Sequence, residues 1–197
     1  MTPLWLQPSL PTAIFWLAYA ICFLPEMIGS FFQTSSQQDR SHDRRSYPIL
    51  VIGIIVSVVI GFNLAVRLPT AIIIDHPATM LILGSALIVA GALFRWYAIR
   101  VLGRFFTRDV AIRVDHQIIR AGPYRVLRHP SYAGGLLSMF GVAVALDNGP
   151  AFLVIMAVNL LLYGYRISVE EAALTAQFGT DYQDYCRTTK RIIPFIF

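Results

Sequence analysis

The chain has 197 residues, of which 56% are hydrophobic and only 14% charged, with a mean hydropathy of +0.62. A soluble domain carries about half apolar and about a quarter charged residues, and here the surplus is gathered into blocks. Composition therefore excludes an ordinary soluble globule and predicts an integral membrane protein. The net charge is +5, but the basic residues sit in loops beside apolar runs. They read as topology signals, and no nucleic-acid partner is expected.

Five apolar segments follow in chain order: Leu10 to Phe32, Ile49 to Val66, Ala78 to Phe94, Tyr132 to Leu146 and Ala151 to Ile167. No basic stretch precedes the first, so it reads as a span rather than a cleaved leader. Within it, Glu26 follows Pro25, which is expected to end or kink the helix there. The last two segments are short, roughly 22–26 Å each at 1.5 Å of rise per residue. Only Asp147-Asn148-Gly149-Pro150 joins them, a strong turn signal that predicts a tight helical hairpin. The expected fold is thus an all-α membrane protein of about five transmembrane helices. Residues 1–100 hold three spans and 101–197 the hairpin, a polar loop and a tail.

Small residues mark packing faces: Gly84 and Gly91 on the third helix, Gly134, Gly135 and Gly141 on the fourth. Asn159 reads as an interhelical hydrogen-bond partner. Cys22 lies in an apolar run and Cys186 in the tail, so no disulfide is expected between them.

Charge sets the orientation. Placing alternate loops on alternate sides puts fifteen of the sixteen basic residues on one face, with Arg67 alone opposite. The positive-inside rule makes that face cytoplasmic, so the N-terminus is expected outside and the C-terminus inside. Two polar clusters then share the cytoplasmic side. One is Gly122-Pro123-Tyr124 through Arg128-His129-Pro130-Ser131-Tyr132; the other is Arg166 to Glu171. Ionisable groups at the margins of membrane helices are costly to keep, which makes them site candidates.

On the fifth helix Tyr163, Arg166 and Glu170 are three and four residues apart and share a face. Glu171 is rotated by about 100° and points elsewhere. Pro130 suits a first helical turn, which puts Arg128 and His129 just before the fourth helix. Its N-terminus attracts anions, Arg128 offers a bidentate carboxylate contact and Tyr132 a hydroxyl. Taken singly, each residue has a plain structural explanation: lipid phosphate for Arg128, capping for His129, an aromatic belt for Tyr132, a helix-end ion pair for Arg166 with a glutamate. Taken together, the clusters suit a zwitterion, with its carboxylate at the arginine-rich helix start and its amine at Glu170 or Glu171. The amino-acid end of S-adenosylmethionine has that pattern. A zinc site is not expected, because His116 and His129 lack further ligands at suitable spacing. Ser131 beside His129 is no hydrolase elbow, and no GxGxxG follows a strand.

At these residues the chain resembles the isoprenylcysteine carboxyl methyltransferase family and related membrane phospholipid methyltransferases. Their Arg-His-Pro-x-Tyr-x-Gly signature stands as Arg128, His129, Pro130, Tyr132 and Gly134, and their Glu-Glu pair as Glu170 and Glu171. His116-Gln117-Ile118-Ile119 with Gly122-Pro123-Tyr124 resembles the family's upstream segment. Phe178-Gly179, Tyr182, Tyr185 and Arg191-Ile192-Ile193-Pro194 resemble its tail. The likeness covers roughly residues 105–197.

The resemblance implies an enzyme that uses S-adenosylmethionine bound in a cytosolic pocket and methylates a lipid-soluble acceptor, with membrane lipids as its other partners. Carboxyl O-methylation of an isoprenylcysteine-like substrate is the leading expectation, with phospholipid or amine N-methylation as the alternative. An NADPH-dependent membrane reductase and a non-enzymatic scaffold are more distant ones. By resemblance, His116, Gln117, Ile118 and Ile119 line the adenosine end together with Tyr124. His129, Tyr132, Arg166 and Glu170 hold the amino-acid end, and Arg166 or Arg128 orients an acceptor carboxylate. Such a carboxylate is ionised at neutral pH and needs no general base, whereas an amine would need Glu170 or Glu171 to take its proton.

Overall fold

The computed structural model describes residues 3–32, 40–43, 46–74, 76–106, 110–112 and 117–193. Six helices carry the fold: α1 (Leu10–Phe32), α2 (Ser46–Arg67), α3 (Pro77–Leu102), α4 (Pro130–Ala145), α5 (Gly149–Phe178) and α6 (Thr180–Thr188). The all-α expectation needs one addition, a two-stranded antiparallel ribbon of β1 (Arg40–Asp43) and β2 (Val110–Ile112), with Arg40 opposite Ile112.

Among the described residues, three helices are long and apolar enough to cross a membrane: Ser46–Arg67, Pro77–Phe105 and Gly149–Phe178. Leu10–Pro25 and Pro130–Ala145 are shorter apolar helices. α1 covers the expected Leu10–Phe32, with Pro25 inside the helix. One boundary differs from the sequence expectation. α5 does not stop at Ile167 but runs eleven residues further, to Phe178. Hydropathy falls at Arg166, yet backbone hydrogen bonds propagate a helix through polar residues as readily as apolar ones. Glu170 and Glu171 therefore ride on a rigid extension of the helix.

α4 sits at the centre of the bundle, with eleven of its sixteen residues buried. That shelter accounts for its shortness, because its backbone ends meet protein rather than lipid. Glycines let α3 approach it. A Cβ at Gly84 would lie 2.5 Å from the Gly141 carbonyl oxygen, and one at Gly91 2.6 Å from that of Gly134. The turn from α4 to α5 is Leu146-Asp147-Asn148. Asp147 takes φ 46°, a left-handed conformation that aspartate tolerates. Its Oδ1 accepts the Ile74 N–H at 3.0 Å. Asn148 caps α5 by accepting the Ala151 N–H at 3.1 Å, and it donates to Leu68 O at 2.8 Å. The turn is thus anchored to the loop between α2 and α3.

α2 packs along α5 and α1 along α3. Asn159 donates to Ser57 Oγ at 3.0 Å, an α5–α2 bond of the kind expected from sequence. Trp5, Phe15, Tyr19 and Phe62 form an aromatic cluster between the first residues, α1 and α2. Cys22 and Cys186 are both free thiols.

At the other end of the bundle the tail closes on the loop before α4. Lys190 N–H donates to Val126 O at 2.8 Å, Arg128 N–H to Lys190 O at 2.7 Å and His129 N–H to Arg191 O at 3.0 Å. The Tyr185 hydroxyl, from α6, donates to Tyr124 O at 2.7 Å. These bonds hold the polar loop, the start of α4 and the tail as one unit.

Candidate functional site

The two polar clusters meet. Tyr132, in the first turn of α4, donates its hydroxyl proton to Glu170 Oε2 at 2.6 Å. Arg166, one turn before Glu170, donates Nε to the same hydroxyl oxygen at 3.2 Å and Nη1 to the hydroxyl of Ser46. Arg166 is buried, and so is Ser46 at the start of α2. The result is a chain of polar groups, Ser46–Arg166–Tyr132–Glu170, running across three helices.

A second network lies beside it. Glu171 Oε1 accepts from Arg128 Nε at 2.9 Å, and Glu171 Oε2 from Arg191 Nε at 3.1 Å. The other Arg128 donor in use, Nη1, reaches the carbonyls of Cys186 at 3.0 Å and Thr189 at 2.6 Å. His129 bridges the two networks: Nε2 is 3.4 Å from Glu171 Oε1 and Nδ1 3.9 Å from Glu170 Oε2. Its ring stacks on Tyr132, with centroids 5.5 Å apart and planes 12° from parallel. It occupies the N-cap position of α4, but its side chain makes no capping hydrogen bond.

The adjacent glutamates thus have different environments. The Glu171 side chain is 14% exposed and accepts from both Arg128 and Arg191, whereas that of Glu170 is 31% exposed. Glu170 Oε1 makes no hydrogen bond to any described residue, and the side chain keeps partial solvent access.

The remaining sequence candidates flank this centre. Tyr124 is buried in a 3-10 turn over Gly122–Arg125. Burial, then the negative charge of Glu170, pushes its hydroxyl pKa up, while Arg95 pulls it down. Gln117 is exposed and Ile118 and Ile119 are half-buried, in a stretch without regular secondary structure. Backbone groups of residues 117–119 make no hydrogen bond to other described residues. His116 and Pro194 lie outside the described residues, as does the Glu26 side chain.

A cavity of about 320 Å³ opens beside the networks. Its wall is apolar for most of its extent, with Cys22 from α1, Leu50 and Ile54 from α2, Trp96 from α3 and Met139 from α4. Its polar margin is Arg95 and Tyr163. Arg95 donates Nη1 to the Ser131 carbonyl at 3.1 Å, which places its guanidinium against the first turn of α4. The Tyr163 hydroxyl lies against Gly135, where any side chain would collide with it.

Two residues of this region escape the sequence reading as site residues, Arg95 and Ser46, and Arg191 enters it only as part of the tail motif. Arg95 carries a signal, being the first of two arginines in the closing turns of an apolar helix. Ser46 carries none, since a serine at a helix start is an ordinary cap.

Residues 80–176 match the model of the isoprenylcysteine carboxyl methyltransferase (ICMT) family. Over that span the chain is similar to the ICMT family. Among similar proteins, protein-S-isoprenylcysteine O-methyltransferase B of Arabidopsis thaliana is 33% identical over 115 residues, covering 57% of this chain and 58% of that one. Protein-S-isoprenylcysteine O-methyltransferase of Saccharomyces cerevisiae is 31% identical over 117 residues, covering 58% and 49% respectively. A solved structure titled as the eukaryotic intramembrane Ras methyltransferase ICMT superposes with a TM-score of 0.60 at 25% identity. It covers 91% of this chain and 61% of that one. The matches therefore span about half to three fifths of the length of these relatives. The ICMT fold and the apolar helices make the chain an integral, multi-pass membrane protein.

Proposed function

We propose that this protein is a membrane methyltransferase that uses S-adenosylmethionine to esterify the carboxylate of an isoprenylcysteine-like, lipid-soluble acceptor. The observation that carries the reading is the juxtaposition of two unlike sites. A half-exposed carboxylate, Glu170, stands in a polar network, and an apolar cavity with an arginine at its margin lies next to it. The match of residues 80–176 to the ICMT family model supports the same chemistry.

The donor set fits such a cofactor. Glu170 Oε1 is available to an ammonium group, and a charge-assisted bond of that kind contributes about 1.5–3 kcal/mol. Tyr132 and Arg166 hold that carboxylate in place, and His129 borders it. The backbone of Gln117, Ile118 and Ile119, near Tyr124, offers hydrogen bonds to an adenosine edge, with His116 assigned there from the motif alone. The bound cofactor supplies a methyl group on a cationic sulfur, which the acceptor oxygen takes as the carbon–sulfur bond breaks and its electrons stay on sulfur.

Arg95 is the residue we assign to the acceptor carboxylate. Arg128 is committed to Glu171 and to two tail carbonyls, and Arg166 to Ser46 and Tyr132. Arg95, while donating to the Ser131 carbonyl at 3.1 Å, also lines the cavity itself. An ionised carboxylate needs no general base, so the work of the site is orientation and exclusion of water. The apolar wall contributes both, by burying the acceptor's hydrocarbon and lining the approach.

In the membrane we assign five crossings, adding α1 and α4 to the three long helices, with α4 and α5 as the hairpin. The N-terminus faces outward, and the donor site and C-terminus are cytosolic. Residues 101–197 form the cofactor-binding region and 1–100 the acceptor-facing helices, with Arg95 and Ser46 reaching across that division.

Titration of the purified protein with S-adenosylhomocysteine and, separately, NADPH tests the cofactor class. Saturable binding of the first and none of the second is expected. NADPH binding alone would make the protein a reductase, and binding of neither would make it a scaffold.

A further inference from the structure

Ser46 stands where the donor and acceptor halves of the protein touch. It is the first residue of α2, 1% exposed, and its hydroxyl accepts from Arg166 Nη1. The next residues of the same helix, Tyr47 and Leu50, line the apolar cavity. Arg166 passes the constraint on, since its Nε donates to the Tyr132 hydroxyl, which in turn bonds Glu170. Ser46 lies outside the segment that matches the family model, in a helix whose other residues are almost all apolar.

We propose that Ser46 is a positioning residue for the donor site, supplied by α2, which fixes the Arg166 guanidinium and through it the Tyr132–Glu170 pair. The physical argument is one of rotamer choice. An arginine side chain has several freely rotating bonds, and a buried guanidinium held at both ends loses most of that freedom on folding rather than on cofactor binding. With Nη1 fixed by Ser46 and Nε on Tyr132, Arg166 keeps the Tyr132 hydroxyl oriented to donate to Glu170. Without Ser46, Nη1 loses that acceptor, and the Glu170 carboxylate, which shares the Tyr132 hydroxyl with Arg166, is a competing one. Glu170 would then be drawn towards Arg166 and away from an incoming ammonium. Because Ser46 begins the helix that lines the acceptor cavity, the same bond sets α2 against the donor site.

The inference rests on the proposed cofactor site, and the test separates the two. Ser46→Ala, Ser46→Cys and Ser46→Thr are compared with the unaltered protein by S-adenosylhomocysteine titration and thermal unfolding on the same preparations. Cysteine preserves the volume of serine but is a weak acceptor, so it stands in if the alanine variant does not fold. The expected result is an affinity about tenfold lower for Ala and Cys, unfolding midpoints within a few degrees of the parent, and near-parental affinity for Thr, which keeps the hydroxyl. Parental affinity in the Cys or Ala variant would overturn the role of Ser46. So would a lowered unfolding midpoint with unchanged affinity of the folded fraction. Absence of binding by the unaltered protein would instead overturn the cofactor site itself.

Discussion

Arg128 and Glu171, forty-three residues apart in sequence, meet at 2.9 Å and fasten α5 to the start of α4. The same guanidinium holds the carbonyls of Cys186 and Thr189, and the same carboxylate takes Arg191 from the tail. A largely buried carboxylate with several cationic partners is expensive to strip, because the partners keep their desolvation cost and lose their compensation.

Glu171→Ala should therefore destabilise the protein. Some solvent still reaches this carboxylate, so a loss of about 2–3 kcal/mol is expected, below the range for a fully buried pair. The melting midpoint should fall by several degrees and the tail should become sensitive to limited proteolysis. Glu170→Gln should leave both nearly unchanged while reducing S-adenosylhomocysteine affinity about ten- to a hundredfold. Equal effects of the two substitutions on affinity would contradict the separation of roles.

Arg95 is assigned to the acceptor side, and its replacement should show it. Arg95→Lys should lower kcat/KM for a carboxylate acceptor at least about tenfold, since an ammonium cannot reproduce the planar fork. Cofactor-analogue affinity should stay within about threefold of the parent. A loss confined to cofactor affinity would move Arg95 to the donor site.

The glycine contacts between α3 and α4 predict a steric threshold. At Gly91 a Cβ would stand 2.6 Å from the Gly134 carbonyl oxygen, a backbone atom that cannot rotate away. Gly91→Leu should force the helices apart, costing about 1–3 kcal/mol or more, read as a lower melting midpoint. Gly164→Ala, where a Cβ meets nothing within 4 Å, is the matched control and should fold normally. Similar melting midpoints for the two would contradict the close packing.

Cys186, in α6 beyond the membrane-spanning helices, has its thiol pKa pushed up, chiefly by burial, with the Arg128 charge pulling partly the other way. A raised pKa means less thiolate at a given pH, so the sign is clear. In a Cys22→Ala background, alkylation at pH 8 should be slower in the folded protein than in denaturant. The folded rate should still be climbing at a pH where the denatured rate has levelled. Identical pH profiles would place Cys186 in an open environment.

Periodicity carries the part of the site that was legible in the sequence. Three- and four-residue spacing puts Tyr163, Arg166 and Glu170 on one face, and Pro130 marks the start of α4, which brings His129 and Tyr132 to the same end of the bundle. Hydropathy places the apolar segments but misjudges where α5 ends, because a helix does not stop where its apolar residues do. The tail latch is harder to foresee. Arg128 stands out in the sequence as a candidate carboxylate ligand, but its pairing with Glu171 beside Arg191 appears only once chain topology lays residues 190–191 beside 126–129. Ser46 is hidden for the same reason: its partner is Arg166, 120 residues away, and such a contact leaves no local pattern.

The central claim is the transfer of a methyl group to a carboxylate. Purified protein in lipid is incubated with methyl-labelled S-adenosylmethionine and a farnesylated cysteine bearing a free carboxylate, and the labelled lipid is then treated with mild alkali. The account predicts label in the lipid product and its release as methanol, the behaviour of a methyl ester. Label that resists alkali would mark methylation at nitrogen or sulfur. No transfer by protein that binds the cofactor would contradict the acceptor assigned here.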